Sequence, residues 1–277
     1  SNSSQQGPGS DGFDANFNFQ SDLYPNYENQ SYYENPNLNF AIFNENIIYL
    51  NDKMAITPGV RFEYIKTMSD GYYRNINTDA ADNVILNELI MTDEIRERQF
   101  ILLGLGYSFK IVDWSEFYSN CSQNYRAVTF ADINTINPNF IINPSISDEN
   151  GYTLDFGFRG NWKDIISYDV SSFYLFYNNR IGFIQRAFND GSVKNEKGNI
   201  GDARILGQEF SCNFNLVNIL KLPSKFRFNY FINNSFINSE YIFSKENGVQ
   251  GNDVEFVPKI NLKTGLELGF LNFKTSL

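Results

Sequence analysis

The sequence predicts an all-β protein, an antiparallel transmembrane β-barrel, and three observations support this prediction. Aromatic residues make up 17% of the chain, with 27 Phe and 17 Tyr, although the mean hydropathy is only −0.37. Apolar and polar residues alternate along several long segments, as in a barrel wall that faces lipid on one side. Short turns alternate with long loops, which is typical of outer-membrane barrels, whose short turns face the periplasm and whose long loops are extracellular.

A soluble β-sandwich would show the same alternation, because it also buries one face of each strand. The predicted strands are about 10 to 16 residues long, whereas soluble strands centre near 5–6 residues and membrane-crossing strands need about 9–11. No run of apolar residues is long enough for a transmembrane helix. Strand length and loop asymmetry therefore favour the membrane barrel over the sandwich.

The N-terminal segment opens with a polar stretch and continues into two strands. Residues 1–37 are predicted to be loop-like, with a brief extended piece at Phe13–Gln20; the Ser, Gln and Gly content also fits a disordered tail. The strands Leu38–Leu50 and Met54–Lys66 follow, and Asn51-Asp52 forms a tight turn between them. This turn is of the short kind found on the periplasmic side of outer-membrane barrels.

The next part of the chain alternates between a long loop and a clear strand. Residues 67–98 are charged and are predicted to form an extracellular loop, with a short helix at Val84–Ile90. In the strand Gln99–Lys110, large apolar residues take one face and small or polar residues the other. The stretch Trp114–Ile133 begins as an aromatic-rich strand, with Trp114 near the periplasmic end, and runs without a break into the loop Ala127–Asn150.

The same pattern continues to the end of the sequence. The remaining predicted strands and hairpins are 151–160, 165–177, Ile181–Phe188, Ala203–Leu216, Lys225–Tyr241 and Val254–Phe270. The predicted turns are Ile111–Asp113, Asn161–Asp164, Asp190-Gly191 and Lys197-Gly198. In all, we expect roughly 11 strands, which is part of a larger barrel.

Composition excludes several classes of function. The net charge of −10 argues against a nucleic-acid partner. The chain has no His, the commonest general base and metal ligand, so we predict no catalytic residues, no metal site and no cofactor. The acidic pairs Asp93–Glu94 and Asp148–Glu149 are expected to be solvated loop surface. Cys121 and Cys212 are expected to be small wall residues, although a disulfide between them is an alternative.

Several segments resemble a known family. SQNYRAVTFADI at 122–133 is similar to the corresponding stretch of TonB-dependent outer-membrane receptors, in the branch of the ferric-citrate and siderophore receptors. The other similar segments, in the same order as in the family, lie at 5–17, 37–65, 148–160, 173–183, 198–210 and 256–270. The Gly-x-Glu at Gly207–Glu209 recurs widely in such barrels, whereas the NNRIG run at 178–182 is more specific to this branch. The resemblance covers nearly the whole chain.

The resemblance implies an architecture and a function. Family members have a plug domain inside a 22-stranded barrel in the outer membrane, and they import ligands with energy from the inner-membrane TonB complex, which acts on the plug. We expect residues 1–277 to be a fragment of such a barrel that lacks the plug domain and the C-terminal strands. The implied partners are a ferric chelate (ferric citrate or a siderophore), the TonB complex and outer-membrane lipid. Alternatives are an importer of cobalamin or an oligosaccharide, or a surface adhesin that does not transport.

Arginines near the extracellular mouth are the candidate ligand-binding residues, because receptors of this kind bind anionic ferric chelates and Arg pairs bidentately with carboxylates. The candidates are Arg126, which is the first choice, and Arg180, Arg186, Arg74, Gln123 and Tyr125. The alternative for each Arg is a structural ion pair with a wall carboxylate such as Glu45, Glu63, Asp155 or Glu209. For Tyr125 the alternative is a place in the aromatic belt at the membrane interface.

Overall fold

The computed structural model describes residues 2–6, 31–81, 83–133, 140–187 and 193–277, and most of these residues are in β-strands. The predicted extended piece Phe13–Gln20 and the predicted turn at Asp190-Gly191 lie outside the described residues. The elements in chain order are β1 (Asn2–Gln6), β2 (Ser31–Asn35), β3 (Asn37–Glu45), β4 (Ile48–Asn51), β5 (Met54–Thr78), β6 (Val84–Val112), β7 (Ser115–Arg126), α1 (Phe130–Ile133), β8 (Phe140–Ile142), β9 (Glu149–Trp162), β10 (Ile166–Ala187), β11 (Val193–Asn215), α2 (Leu216–Ile219), β12 (Phe226–Phe243), β13 (Ile260–Phe270) and β14 (Phe273–Ser276).

The strands form one 14-stranded sheet in the order β1-β2-β5-β6-β7-β9-β10-β11-β12-β13-β14. Strands β3 and β4 both pair with β5, and β8 pairs with β11. All of the pairings between described strands are antiparallel except that of β8 with β11. The sheet is open, with β1 and β14 at its ends, and the predicted all-β segment of a larger barrel is confirmed.

The outer face of the sheet carries large apolar side chains that remain exposed. On β6, Ile101, Leu103 and Leu105 are each more than half exposed, and they are paired in register with similar residues such as Phe62 on β5. In water such a surface would cost about 25 cal/mol for each Å² left uncovered, whereas lipid tails cover it. Aromatic residues lie at both ends of this apolar surface. Phe214 stacks on Tyr230 near one end, and the ring centroids of Tyr152 and Phe176 are 5.3 Å apart near the other.

The inner face is polar, as the alternation predicts. Tyr118 donates a hydrogen bond to Asp169 on β10 at 2.7 Å, and Ser211 donates one to Asn233 at 2.7 Å. Glycines make room for this layer: a Cβ on Gly157 would lie 2.8 Å from the Tyr118 ring and 2.6 Å from the Val170 carbonyl oxygen. Polar side chains on this face therefore cross-link neighbouring strands without any apolar core between two sheets.

Short turns close one end of the sheet. Asn51 ends β4, and its side-chain oxygen accepts hydrogen bonds from the Lys53 and Met54 amides at 2.9 and 3.0 Å. Lys163 and Asp164 both take positive φ angles, 52° and 53°, which gives the twist that a tight antiparallel hairpin needs. These turns, at about the predicted positions, mark the periplasmic end.

Residues 67–98 are not the extracellular loop that the sequence predicts. Most of them continue β5 and β6, which pair without interruption from Met54↔Phe109 to Asn77↔Leu86, and Val84–Ile90 is strand and not helix. The acidic residues Asp93 and Glu94 consequently lie on a strand rather than in a loop. Ile85, Leu89, Met91 and Ile95 lie at spacings of two and four, which fit a strand throughout and fit a helix only in part.

Two other boundaries differ from the prediction. The predicted separate hairpin around Ile181–Phe188 is, over its described residues 181–187, the upper part of one continuous strand, β10, with a register shift between Tyr177 and Arg180. Phe188 lies outside the described residues. Asn179 lies in this bulge with a φ of 57°, a conformation that Asn tolerates better than most residues. The predicted turn at Lys197-Gly198 is inside β11. Gly198 instead permits close approach of another segment, because a Cβ there would lie 3.0 Å from the Asn143 Cβ.

Strands β6 and β7 separate part of the way up the wall. Their register runs from Val112↔Ser115 to Gly104↔Ser122, after which β7 continues to pair only with β9, as far as Arg126↔Glu149. At the point of separation the Leu103 amide donates its hydrogen bond to the Gln123 side-chain oxygen at 2.9 Å. A side chain thus replaces the backbone of β7 as the partner of this amide.

Within the described ranges, none of the helices has the length and apolar character required to span a bilayer. Cys121 is exposed and Cys212 is buried, and both are free thiols, so the two cysteines are wall residues without a disulfide between them.

Candidate functional site

The long connections gather at the end of the sheet opposite the short turns. They are residues 127–148 between β7 and β9, and 244–259 between β12 and β13. We call residues 127–148 the strap; its described parts are 127–133, which contains α1, and 140–148, which contains β8. The strap lies beside the strand ends that carry most of the candidate arginines.

Arg126 ends β7 and joins the strap to the wall. Its Nη1 lies 2.9 Å from Glu149 Oε1, a residue that sits opposite it in the β7–β9 register. Its Nη2 lies 3.0 Å from both carboxylate oxygens of Asp132 in α1. The Asp132 side chain is only 2% exposed, whereas that of Arg126 is 44% exposed. Arg126 therefore neutralises two buried carboxylates and still presents part of its guanidinium to solvent.

Asp132 is held by more than one cation. Lys197 on β11 places its Nζ 2.7 Å from Asp132 Oδ1, and the same ammonium donates to the Ala131 carbonyl at 2.9 Å. Burial raises the pKa of the Asp132 carboxyl, but hydrogen bonds from Lys197 and the Thr129 amide and the charge of Arg126 outweigh burial and lower it below its ordinary value of 3.8. Asp132 is consequently a buried carboxylate that stays ionised.

A second carboxylate fixes the other end of the strap. Asp148 lies 2.9 Å from Arg98 Nε and accepts a hydrogen bond from the Val128 amide at 2.6 Å. The Tyr125 hydroxyl also donates to Asp148. The Arg98 Nη2 donates to the Val128 carbonyl at 3.0 Å. The two ends of the strap are thus tied to each other and to β6 through one carboxylate.

An apolar cluster lies beneath these ion pairs. Val128, Ile133 and Ile146 of the strap are buried and pack together with Ile142 and Ile181. Strand β8 adds to β11 in parallel register, from Phe140↔Asn195 to Ile142↔Lys197. Asn199 on β11 exchanges hydrogen bonds with the Ser147 amide and carbonyl at 2.7 and 2.8 Å. The described parts of the strap therefore form a packed layer on the wall and not a solvated loop.

The other two mouth arginines also have partners. Arg180 follows the β10 bulge and donates to the Tyr241 hydroxyl at 3.2 Å, and this hydroxyl donates to Glu255 at 2.7 Å. Arg186 is ion-paired with Glu196 and, at 3.1 Å, with Glu246. Glu196 precedes Lys197 in β11, so the ion pairs of Arg186 and those of Asp132 meet on consecutive residues of one strand.

The remaining candidates lie elsewhere. Arg74 is on the outer extension of β5 and donates to the Asn87 side chain at 2.8 Å, away from the strap. Gln123 shares a face with Cys121 and bonds the Leu103 amide, so it belongs to the outer side of the wall. Tyr125 stacks on Phe100 with ring centroids 3.8 Å apart and contacts Asp148. Thus Arg126, Arg180, Arg186 and Tyr125 lie around the strap, and Arg74 and Gln123 do not.

Sequence reasoning missed four members of this network, Arg98, Asp148, Glu149 and Lys197. The expectation that Asp148–Glu149 is solvated surface is wrong, because Glu149 begins β9, is buried, and accepts a hydrogen bond from the Ile181 amide at 2.9 Å. The expected alternative partners of the arginines were Glu45, Glu63, Asp155 and Glu209. The carboxylates that pair with Arg126 and Arg186 are instead Asp132, Glu149, Glu196 and Glu246. The positions of these charged residues at strand ends could have predicted the ion pairs, because a carboxylate that is buried there needs a cation beside it.

The mouth carries cationic side chains of a type that pairs with anions. Among the residues that the structure describes, no cluster of three or more His, Cys, Asp or Glu side chains could hold a metal ion. The mouth instead offers guanidinium groups already set against carboxylates, two of them more than a third exposed. An anionic ligand would meet preorganised donors there.

Comparison with known proteins identifies the architecture. A family model described as TonB dependent receptor-like, beta-barrel matches residues 2–276. No match is found among curated proteins. The sheet resembles the ferric yersiniabactin uptake receptor FyuA from Yersinia pestis (TM-score 0.63, 17% identity, 86% of this chain and 32% of that one). It also resembles the copper transporter OprC, with a TM-score of 0.63 and 15% identity over 89% of this chain and 35% of that one. A third similar structure is the ferric-catecholate import receptor Fiu from Escherichia coli K12, with a TM-score of 0.61 and 11% identity over 90% of this chain and 34% of that one. The chain spans about a third of the length of these proteins.

Proposed function

Because the chain belongs to the TonB-dependent receptor-like β-barrel family, we propose that the whole protein imports a ferric chelate, ferric citrate or a siderophore, across the outer membrane. The chain itself is a segment of an outer-membrane barrel. In this proposal residues 1–277 form part of the wall, a plug domain elsewhere in the protein fills the lumen, and the inner-membrane TonB complex supplies energy through that plug. The family is one of receptors and transporters rather than enzymes.

One observation supports an anionic ligand in particular. Arg126 and Arg186 approach β11 from opposite sides, through Asp132–Lys197 and through Glu196, and both guanidiniums remain partly exposed. Arg180 lies next to Ile181, whose amide donates to the same Glu149 that pairs with Arg126. Three arginines thus lie at strand ends next to the strap. The carboxylates or phenolates of a ferric chelate match these donors in charge and in geometry.

The contacts of these arginines suggest how a ligand would be accepted. Arg126 and Arg186 already hold protein carboxylates, so an arriving chelate exchanges one anionic partner for another at these two residues. If the chelate replaced Asp132 as the partner of Arg126, α1 would lose one of the ion pairs that hold it to the wall. Binding would therefore be coupled to movement of the described parts of the strap, residues 127–133 and 140–148. Arg74 and Gln123, which lie away from the strap, contribute to binding in this proposal only if extracellular segments fold over them.

Uptake measurements test the proposal. Cells that produce the intact protein should accumulate ⁵⁵Fe supplied as ferric citrate or as one siderophore, and deletion of the gene should abolish that uptake. A second deletion, of the TonB gene, should give the same loss, because import against a gradient needs the inner-membrane complex. A strain expressing the intact protein from a plasmid serves as the control.

The outcomes separate the alternatives. If iron uptake is unchanged with every chelate while labelled cobalamin or oligosaccharide uptake falls, the barrel is an importer of another substrate. If no uptake changes but attachment of cells to a surface is lost, the protein is an adhesin. Either result would overturn the assignment to a ferric chelate.

A further inference from the structure

The upper parts of β5 and β6 form an extension beyond the lipid band. We call it the outer ridge: residues 67–78 of β5, 84–98 of β6, and β2, which pairs with β5 from Ser31↔Tyr73 to Glu34↔Asp70. The lipid-facing row on β6 runs from Phe109 to Ile101, about 26 Å at roughly 3.3 Å per residue. Asp93 lies a further eight residues along, about the same distance again. The outer ridge therefore stands in water on the extracellular side.

Three carboxylates lie side by side across the outer ridge. Glu34 on β2 is opposite Asp70 on β5, and Asp70 is opposite Asp93 on β6. Residues opposite each other on adjacent strands project from the same face, with Cβ atoms about 5 Å apart, and like charges in such pairs destabilise the sheet. All three are exposed, and none of them forms an ion pair with any residue of the described ranges. We call these residues the acidic row.

Apolar side chains flank the acidic row on the same face. Met91 is 67% exposed, Ile95 57%, Leu89 49% and Ile85 69%, and all four alternate in phase with Asp93 along β6. Unlike Ile101 and Leu103, these side chains lie above the lipid band. Exposed apolar side chains grouped in water mark interaction surfaces in soluble environments.

The edge of β6 is open at the same place. Strand β6 pairs with β7 only up to Gly104↔Ser122, so from Val84 to Leu103 its second edge has no strand partner within the described ranges. An extended peptide can continue a sheet at such an edge through backbone hydrogen bonds, with alternate side chains read by the face of the sheet.

We propose that the outer ridge is a docking site for an extracellular partner polypeptide, an extended segment in which every second residue is in turn apolar, Lys or Arg, and apolar, so that all of these side chains share one face. Its cations would neutralise the acidic row, its apolar side chains would cover Met91 and its neighbours, and its backbone would pair with β6. A lipid surface fits less well, because lipid phosphates carry the same charge as the row. A bound divalent cation alone would leave the apolar side chains uncovered. The proposal is independent of which ligand the barrel imports.

Peptide binding to the intact purified protein in detergent micelles tests the chemistry. The probe is the fluorescent peptide Val-Ser-Lys-Ser-Val-Ser-Lys-Ser-Val, in which Val and Lys share one face of the strand, and the same peptide with Glu in place of Lys is the negative probe. We expect the double variant Asp70→Asn, Asp93→Asn to weaken binding of the Lys peptide at least tenfold. The matched control is Asp52→Asn, Asp113→Asn, which removes the same charge at the periplasmic turns and should leave binding unchanged. Equal affinity in the two double variants, or binding that requires added Ca²⁺, would overturn the proposal.

Photocrosslinking on living cells tests the partner. Benzoylphenylalanine at Leu89 should form an adduct with one polypeptide, and mass spectrometry should place the adduct within a basic, extended segment. The same group at Ile101, on the same strand and face but in the lipid band, should give no polypeptide adduct. Adducts at Leu89 with lipopolysaccharide only, or no adduct at all, would refute docking of a polypeptide at the outer ridge.

Discussion

Lys197 of β11 and Asp132 of α1 bring their charged atoms to 2.7 Å from each other, which links a wall strand to a segment that sequence alone places in an open loop. Arg126 also pairs with Asp132, and the apolar cluster of Val128, Ile133 and Ile146 packs beneath these ion pairs. The charge of Asp132 thus ties α1 to both β7 and β11.

Removal of that charge should loosen the strap. Asp132→Asn keeps the shape of the side chain but leaves Lys197 and Arg126 without their shared anion, so we expect local stability to fall by about 1–3 kcal/mol. Hydrogen exchange of the strap amides measures the effect. The matched control is Asp253→Asn, which removes the exposed Lys259–Asp253 ion pair and should change stability by less than about 1 kcal/mol. Equal exchange rates in the two variants would show that Asp132 does not hold the strap.

The strap should also respond to acid. The pKa of Asp132 lies below 3.8 in the folded protein, so its contribution is complete above that value and is lost as the pH falls through the lower, folded pKa. Protease sensitivity of the strap should therefore be constant from about pH 7 to pH 5 and rise below 3.8. In the Asp132→Asn variant this rise should be absent. A rise of the same size in the variant would show that the acid response does not come from Asp132.

Arg126 should contribute to chelate affinity, if the proposed function is right. Arg126→Ala in the intact receptor should weaken binding at least tenfold, about 1.4 kcal/mol, and Arg126→Lys should weaken it less, because a cation remains but the bidentate fork is lost. Titration of the chelate by tryptophan fluorescence gives both affinities. Hydrogen exchange on the same samples separates the two roles of Arg126. Unaltered affinity with a loosened strap would make this residue purely structural.

The inner-face glycines should differ in their tolerance of a methyl group. Gly157→Ala places a Cβ within 2.8 Å of the Tyr118 ring and 2.6 Å of a backbone oxygen, whereas at Gly104 the nearest atom would be 3.8 Å away. We expect Gly157→Ala to destabilise the barrel by about 1–3 kcal/mol through overpacking. Gly104→Ala should have almost no effect. Urea unfolding of the intact protein in micelles, followed by tryptophan fluorescence, compares the two, and equal midpoints would contradict the packing at Tyr118.

Wall strands could be predicted from the sequence because lipid outside and a polar lumen inside impose a period of two, as in Ile101, Leu103 and Leu105. The outer ridge was missed because it lies beyond the lipid, where charged residues such as Asp93 and Glu97 interrupt the apolar face. At Lys197-Gly198, glycine serves close approach of Asn143 and not a turn, and only the register of the strap on β11 reveals the difference. Arg126 was identified, but its partners depend on pairings between distant strands, which no local pattern encodes.

The separation of β6 from β7 at Leu103 also sets the depth of the protein in its bilayer. Hydrocarbon offers no water to an unpaired amide, so the lipid tails end close to the level at which β6 and β7 part, at about Ile101 to Leu103. The Gln123 side chain supplies the last hydrogen bond at that level. Strand β9, the neighbour of β7, spans about 33 Å along its length from Trp162 to Tyr152. At a tilt of about 40° this corresponds to a height of roughly 25 Å along the membrane normal. The wall thereby matches the thickness of an outer membrane, and the height of the mouth above the lipid surface is fixed by where two strands part.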